Sequence, residues 1–290
     1  MTEAQRDKAI YREAKQFLPS ISIPGVTLKL VGKYLRPEFL QPRPRSIPGI
    51  YVQLLKSAQN ANMKAGVIGR AIGGIETLTP ILSNFDPHKI LSTYGRNWNK
   101  LLDEVEKRIK PKGKIRRTSR SIWPQYCRSI LSGASFLVQF KSATDFFQWV
   151  DFFDSDSRAR PSLPLLLSRE IDGFGFALAC DFLKEMGYVG FPKPDVHLRD
   201  IFRGVGLCDK PQDDYTLFKS IVRLAANAKV TPYNADKVFW LIGSGYFYAD
   251  PHIGKKGRIG SHKKEFIQKI ESMERLSNHS LRLTRTSRTA

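Results

Sequence analysis

The segment PSLPLLLSREIDGFGFALACDFLKEMGYVGFPKPDVHLRDIFRGVGL, residues 161–207, contains the pattern that decides the fold. Apolar residues recur at three- and four-residue spacings on both sides of residues 171–175, which is typical of helices. The short stretch between them has two glycines, which permit positive φ angles and a tight turn. The segment therefore predicts a helix, a turn and a second helix, followed by another helix after Pro194-Asp195.

The same helical periodicity extends over most of the chain. It runs from Ile50 to about Ser157 and resumes after residue 207 in DDYTLFKSIVRLAANA and NADKVFWLIGSGYFY. A strand-like alternation occurs in SISIPGVTLKLV, residues 20–31. Prolines spaced through residues 18–50 argue against a long helix there. We therefore expect an all-α or nearly all-α fold of two packed helical subdomains, with an irregular N-terminal extension.

These patterns divide the chain into three segments. Residues 1–50 form the predicted extension, and residues 51–250 form a helical core. Within that core, the two helices and their turn occupy residues 163–187, and a loop follows at residues 188–198. Residues 251–290 form a basic C-terminal segment.

Length and composition are those of a globular chain. The 290 residues are 41% hydrophobic, and the longest apolar runs are too short to cross a bilayer. The N-terminus mixes both charge signs and lacks an apolar core, so we expect no signal peptide. The expected protein is an intracellular monomer with no membrane partner, located in the cytoplasm with the nucleoid or in a nucleus.

The net charge of +20 is the strongest compositional signal. Residues 107–120, KRIKPKGKIRRTSR, carry eight basic side chains and no acidic one. From His252 onward the chain adds ten Lys or Arg against three Glu. Such a surplus favours a polyanionic partner, with nucleic acid first and an anionic membrane second, although each stretch alone is also compatible with a solvated loop.

Metal and cofactor chemistry have little support in the sequence. The three cysteines, Cys127, Cys180 and Cys208, have neither metal-ligand nor redox spacing, and we expect buried thiols. The five histidines are equally scattered. We therefore expect no metal and no cofactor.

The turn at residues 171–175 is a candidate phosphate site. Gly173 and Gly175 let the backbone approach a ligand, and the N–H groups of Phe176 and Ala177 open the second helix. A compact helix–helix connection is the alternative explanation. Asp195 likewise has an alternative explanation as the N-cap of the helix that follows it.

Residues 161–207 resemble the helix–hairpin–helix superfamily of DNA glycosylases. The family hairpin reads approximately Leu-Pro-Gly-Val-Gly, matched here by IDGFG, and its aspartate lies in Val-Asp-Thr-His-Val, matched by PDVHL. Two departures are Asp172, at the position of the usual hairpin proline, and the absence of the iron–sulfur cysteines of some branches. The resemblance covers about 50 residues closely.

The resemblance implies a chemistry and a partner. Asp195 would be the catalytic carboxylate that stabilises an oxocarbenium-like transition state and activates water, and the partner would be duplex DNA containing an altered base. Members that also cleave the DNA backbone carry a lysine where this chain has Ala177, so we expect a monofunctional enzyme that leaves an abasic site. Lys193 and His197 are candidate phosphate contacts. Lys184 is a surface or phosphate-contacting lysine on this interpretation.

A glycosylase must also hold a flipped base between aromatic or apolar groups and fill the gap it leaves. The candidate aromatic residues are Trp123 and Tyr126, with Trp98 and Trp149 as others, although aromatic residues at helical spacing more often belong to the core. The candidate gap-filling residues are Gln59, Asn60 and Asn62.

Two further functions remain open at this stage. The first is a non-catalytic DNA-binding protein that keeps the hairpin and uses Asp195 as a helix cap. An RNA-binding module would use the same basic surface. The direction of the Asp195 side chain discriminates between the first two, and the preference for duplex DNA over RNA tests the third.

Overall fold

The computed structural model describes residues 1–36, 42–60, 67–248 and 250–286, with side chains through residue 276. The chain is 64% helix, and the described part contains no strand, which confirms the all-α prediction. Two short 3-10 helices lie between α4 and α5. The α-helices are α1 (Glu3–Ser20), α2 (Leu28–Tyr34), α3 (Ile47–Ala58), α4 (Val67–Ile72), α5 (Pro87–Tyr94), α6 (Trp98–Ile109), α7 (Ile122–Leu137), α8 (Ala143–Ser155), α9 (Ser162–Glu170), α10 (Phe176–Glu185), α11 (Val196–Gly204), α12 (Asp214–Ala228), α13 (Pro232–Ser244) and α14 (Lys263–Thr286).

The helices form two compact units. Unit 1 combines Met1–Phe39 with Pro194–Ala290, and unit 2 is the continuous stretch Leu40–Lys193. The predicted boundaries at residues 50 and 250 are therefore wrong, because the chain starts in unit 1, leaves it, and returns after Lys193. Contacts between N-terminal and C-terminal residues create this division, and no local pattern encodes them.

The N-terminal segment belongs to the core of unit 1. Helix α1 starts at a capping box in which Thr2 and Gln5 exchange hydrogen bonds, and it buries Ile10, Ala14 and Phe17. Its fully buried Asp7 accepts hydrogen bonds from the side chains of α12, at 3.1 Å from Arg223 Nε and 2.6 Å from Asn227 Nδ2. The prediction of an irregular extension is wrong here because tertiary burial makes a helix of a charge-rich segment.

The prediction of a strand from the alternation in residues 20–31 is also wrong. Thr27 starts α2 by accepting a hydrogen bond from the N–H of Leu30, and Val31 and Tyr34 enter the core. The remaining core of unit 1 comes from α11, α12, α13 and α14. Close packing between α11 and α14 depends on Gly204, whose missing Cβ would lie 2.4 Å from Ile267 Cδ1.

Unit 2 is organised around α7, which contacts α3, α5 and α6. Gly133 lets α3 approach, since a Cβ there would lie 3.0 Å from Leu54 Cδ2. The buried Tyr51 of α3 donates its hydroxyl proton to the carbonyl of Ile130 at 2.5 Å. These contacts fix α7, on which the predicted hairpin rests.

No helix among the residues that the structure describes has both the length and the apolar composition needed to cross a membrane.

Candidate nucleic-acid interface

The two predicted helices and the turn between them are present in unit 2. Helix α9 ends at Glu170 and α10 begins at Phe176, as the spacing predicted. The N–H of Ile171 donates to Leu167 O at 3.1 Å, which closes α9, and Gly173 takes a φ of 71°. A side chain at that φ would be strained, so this position favours glycine.

The turn is anchored to α7 by two serines. The N–H of Asp172 donates to Ser132 Oγ at 2.9 Å, and Ser129 Oγ donates to Asp172 O at 2.5 Å. A Cβ on Gly173 would lie 3.2 Å from the same Ser129 oxygen. The backbone of the turn is therefore held rigidly, while the Asp172 side chain is exposed.

The first turn of α10 has open donors. Gly175 is its N-cap, and a glycine has no side chain with which to cap the helix. The N–H groups of Gly173, Gly175 and Ala177 donate to no acceptor among the residues described. Nothing lies within 4 Å of a Cβ built on Gly175, whereas the Phe176 side chain is buried. Such a helix start suits an anion such as phosphate.

A basic segment, residues 107–120, is tied to the same part of α7. Arg128 of α7 donates to Ser119 O at 2.6 Å, and Gln125 Nε2 donates to Arg120 O at 3.0 Å. Arg108 and Arg117 pair with carboxylates of α6. The other six basic side chains of the segment lack a carboxylate within ion-pair distance in the described part of the chain: Lys107, Lys110, Lys112, Lys114, Arg116 and Arg120.

A cavity of about 530 Å³ opens next to the turn. Trp98 and Phe136 supply its aromatic surface, and the Arg128 guanidinium lies 5.7 Å from the Trp98 ring centre. Asp172 of the turn lines the same cavity, and the remaining lining residues are Leu91, Gly95, Arg96, Leu131, Ser132, Ser135 and Glu170. The cavity therefore combines an aromatic wall with charges of both signs.

The structure corrects the predicted base-pocket residues. Trp123 and Tyr126 are 4% and 3% exposed, so neither offers an open ring face to a base. Gln59 is also buried and donates to the Tyr126 hydroxyl at 3.0 Å, which excludes it as a gap-filling residue. Asn60 is half-buried, and Asn62 lies outside the described residues. Of the four aromatic candidates, Trp98 lines the cavity, while Trp149 packs among phenylalanines.

Asp195 lies in unit 1 and caps α11. Its Oδ1 accepts hydrogen bonds from the N–H groups of His197 at 2.8 Å and Leu198 at 3.2 Å. The carboxylate thus fulfils the helix-cap alternative, and both capping bonds use one oxygen. Asp195 lines neither the cavity beside the turn nor a second cavity of about 360 Å³ between α1 and α12.

The placement of His197 contradicts its predicted contact with phosphate. Its Cβ lies 2.6 Å from where a Cβ on Gly243 would stand, and its Nδ1 is buried without a hydrogen-bond partner among the described residues. Burial lowers the pKa of His197 below its ordinary value, against the opposing charge of Asp195. The ring is therefore a packed, neutral group at pH 7.

The two predicted phosphate lysines pair internally. Lys193 Nζ lies 3.2 Å from Asp181 Oδ2, and Lys184 Nζ lies 3.5 Å from Asp181 Oδ1. Burial would raise the pKa of Asp181, but the two ammonium groups outweigh it and hold that pKa below its ordinary value. Lys184 is itself buried, so its prediction as a surface lysine is wrong.

Several residues of this interface were absent from the sequence prediction. Ser129, Ser132 and Arg128 hold or flank the turn, yet they lie on α7 and carry no local signal for that role. They lie on one face of α7, but the sequence does not show that the turn packs against that face.

The cysteines are buried and free, as predicted, and burial raises the pKa of Cys127 to about 12. The described residues contain no group of three or more His, Cys, Asp or Glu side chains that could hold a metal ion. Comparison with protein-family models, with curated proteins and with solved structures found no match to this chain.

Proposed function

We propose that this protein is a monofunctional DNA glycosylase that binds duplex DNA through the turn at residues 171–175. The observation that supports this proposal most is the uncapped start of α10, whose open N–H groups lie on a rigidly held glycine turn. The resemblance of residues 161–207 to helix–hairpin–helix glycosylases gives that turn its proposed partner.

Phosphate binding follows from the charges around the turn. Backbone N–H groups at a helix start attract an anion, and the six cations of residues 107–120 without carboxylate partners would add long-range attraction. Glu170 and Asp172 oppose this attraction locally, since both line the cavity beside the turn. The net effect favours a DNA backbone that approaches from the side of the basic segment.

We assign contact with a base beside the turn to Trp98 rather than to the buried Trp123 and Tyr126, as a binding role separate from excision, because Asp195 does not line the Trp98 cavity. Trp98 lines a cavity of about 530 Å³, within the range of small-ligand sites. Its ring could stack with a base, and the Arg128 guanidinium at 5.7 Å could contact a neighbouring phosphate.

Asp195 is the proposed catalytic carboxylate. Cleavage of an N-glycosidic bond builds positive charge on the deoxyribose, and an ionised carboxylate stabilises it while activating water. The two capping bonds to Oδ1 hold the group in a fixed orientation. With alanine at position 177, no amine is available there to form a Schiff base, so the product would be an abasic site.

The capping geometry favours a second candidate, a non-catalytic duplex-binding protein. An aspartate whose Oδ1 accepts two N–H bonds of its own helix already has a structural role. On this account α10 and the basic segment bind DNA, and Asp195 stabilises α11 alone.

Incubation with a panel of duplexes, each carrying a different altered base, followed by alkali, tests the proposal. We expect wild-type protein to make one duplex alkali-sensitive, and the Asp195→Asn variant to leave it intact. Asparagine preserves the cap, so loss of cleavage would report loss of the charge. Asp213→Asn is the matched control, because Asp213 caps α12 through the same two N–H positions. Tight duplex binding by all three proteins without cleavage of any duplex would favour the second candidate.

A further inference from the structure

A cluster of four aromatic rings lies on unit 1, away from the motif discussed so far. Tyr34 stacks on Tyr248 with ring centres 5.4 Å apart and an interplanar angle of 22°. Trp240 and Tyr246 lie 5.5 Å and 5.8 Å from the same Tyr248 ring. These rings form one continuous cluster centred on Tyr248, in which Tyr34 is buried, Trp240 and Tyr246 are half-buried and Tyr248 is exposed; we call its open face the aromatic surface.

The backbone displays Tyr248 at the surface. Its side chain is 46% exposed, and its φ of 50° lies in the left-handed region that few side chains adopt. The returning loop holds this geometry, since the N–H of Phe247 donates to Gly257 O at 2.7 Å and that of Ile259 donates to Gly245 O at 2.9 Å. A strained residue that exposes a large ring calls for a functional explanation.

A lysine lies beneath the aromatic surface. Lys237 is 7% exposed, and its Nζ lies 4.8 Å from the Tyr248 ring centre and 5.2 Å from that of Trp240. The same ammonium donates a hydrogen bond to the Tyr248 hydroxyl. The Lys237 ammonium therefore already occupies the position that a cationic ligand would take beside these rings, and this disfavours a cationic ligand.

Positive charge also surrounds the surface. The Arg258 guanidinium lies 4.4 Å from the Tyr246 ring centre, and the exposed Lys255 and Lys256 precede it in the same loop. None of these three side chains has a carboxylate within ion-pair distance among the residues described. Asp250 is the opposing charge: after burial, it is the main cause that raises the pKa of Tyr34. The net charge complements a polyanion.

We infer that this aromatic surface binds an unpaired strand of DNA, whose bases stack on Tyr248 and Trp240 while Lys255, Lys256 and Arg258 contact its phosphates. An exposed ring with accessible aromatic neighbours and nearby cations is the arrangement that recognises single strands independently of sequence. The stacking surface does not require base excision, whereas the choice of DNA over RNA rests on the proposed function.

Fluorescence anisotropy of a labelled oligothymidylate measures this binding. Tyr248→Asn removes the ring but tolerates the positive φ, and we expect binding to weaken about tenfold. Tyr248→Phe keeps the ring, loses the hydroxyl bonded to Lys237, and should bind as the wild type does. Phe152→Ala is the matched control, since Phe152 is 71% exposed on unit 2. The double variant Lys255→Gln, Lys256→Gln should reduce the salt dependence of the affinity for the oligothymidylate. Tyr248→Asn should leave that salt dependence unchanged.

Two results would overturn the inference. Equal affinity of Tyr248→Asn and wild type would exclude stacking on this surface, and tenfold tighter binding of an RNA strand of the same sequence would exclude DNA as the partner. Because strand binding and base excision are measured separately, their failures are distinguishable. Loss of strand binding in Tyr248→Asn, with no altered base excised by the wild type, would support this surface and reject the proposed enzyme.

Discussion

The first N–H groups of α10 and α11 differ in whether the chain itself supplies their hydrogen-bond acceptor. At α10 the N-cap is Gly175, which has no side chain to accept from the first N–H groups. At α11 the N-cap is Asp195, whose Oδ1 accepts from two of them. The first helix start is thus suited to an external anion, and the second is satisfied by its own chain.

The cations near the two helices differ in the same sense. In the basic segment tied to α7, six side chains have no carboxylate partner among the described residues. On and beside α11, Arg199 pairs with Asp214 at 2.5 Å and Lys263 pairs with Asp200 at 2.6 Å, while the exposed Arg203 has no carboxylate within ion-pair distance among the described residues. On the proposed function, phosphate binding is assigned to the glycine turn, and Asp195 would contribute through its charge.

An acceptor side chain at the N-cap of α10 would make the start of this helix resemble the start of α11. Gly175→Asp fits the extended backbone at φ −65°, and its carboxylate would accept from the N–H of Ala177 and repel phosphate. We expect duplex affinity to fall about tenfold, as a lost charge-assisted hydrogen bond implies. Electrophoretic mobility shift measures this loss. Gly175→Ala adds a Cβ into open space without an acceptor and should bind normally, and an equal loss in both variants would contradict the account.

Removing unpaired cations of the basic segment tests whether they neutralise DNA phosphates. The double variant Lys112→Gln, Lys114→Gln should reduce the slope of log K against log salt by about two, if each lysine neutralises one phosphate. Arg158 is the control, because it already pairs with Asp156 at 2.7 Å. Arg158→Gln should leave the slope unchanged, and equal slopes in all three proteins would place DNA elsewhere.

Removing the cap at α11 should affect stability rather than duplex binding. Asp195→Ala leaves two N–H groups without their acceptor and should lower the free energy of unfolding by about 1 kcal/mol. Asp195→Asn preserves an acceptor and should unfold at the wild-type denaturant concentration. Urea titration followed by circular dichroism compares the two, and equal stability of Asp195→Ala and wild type would refute the capping role.

The smallest expected effect concerns pH. Because burial holds the pKa of His197 below its ordinary value near 6.5, the unfolded chain binds a proton that the folded chain does not. This contribution to stability is present above that value and is lost as the pH falls below it. His197→Gln should flatten the decline of stability between about pH 7 and 5. The exposed His88→Gln is the control and should keep the wild-type decline.

Much of the fold could be predicted from local sequence patterns. The spacing of apolar residues located α9 and α10 on either side of the glycine turn, and Asp195 was correctly placed at a helix start. The N-terminal helix was missed, although Thr2 and Gln5 form a local capping box, because the prolines after residue 18 led to one irregular extension over residues 1–50; the partners of the buried Asp7 lie more than 200 residues away. Long-range contacts of this kind leave no trace in a local window.

The candidate site was harder to predict than the fold. Aromatic residues at helical spacing look alike whether they face the core or a cavity, so Trp123 and Trp98 could not be separated before their burial was known. Likewise, Lys193 looked available for phosphate until the structure showed its pair with Asp181. Burial and pairing are properties of the folded chain, and they decide which charges remain for a ligand.

The single-turnover excision rate of Asp195→Asn, on the duplex that the wild type cleaves, shows whether the Asp195 charge acts in base excision. We expect a rate at least about 100-fold lower, with unchanged duplex affinity and stability, because only the transition-state charge is lost. Asp213→Asn should excise at the wild-type rate. An Asp195→Asn variant that excises as fast as the wild type would contradict the account and leave Asp195 as a helix cap alone.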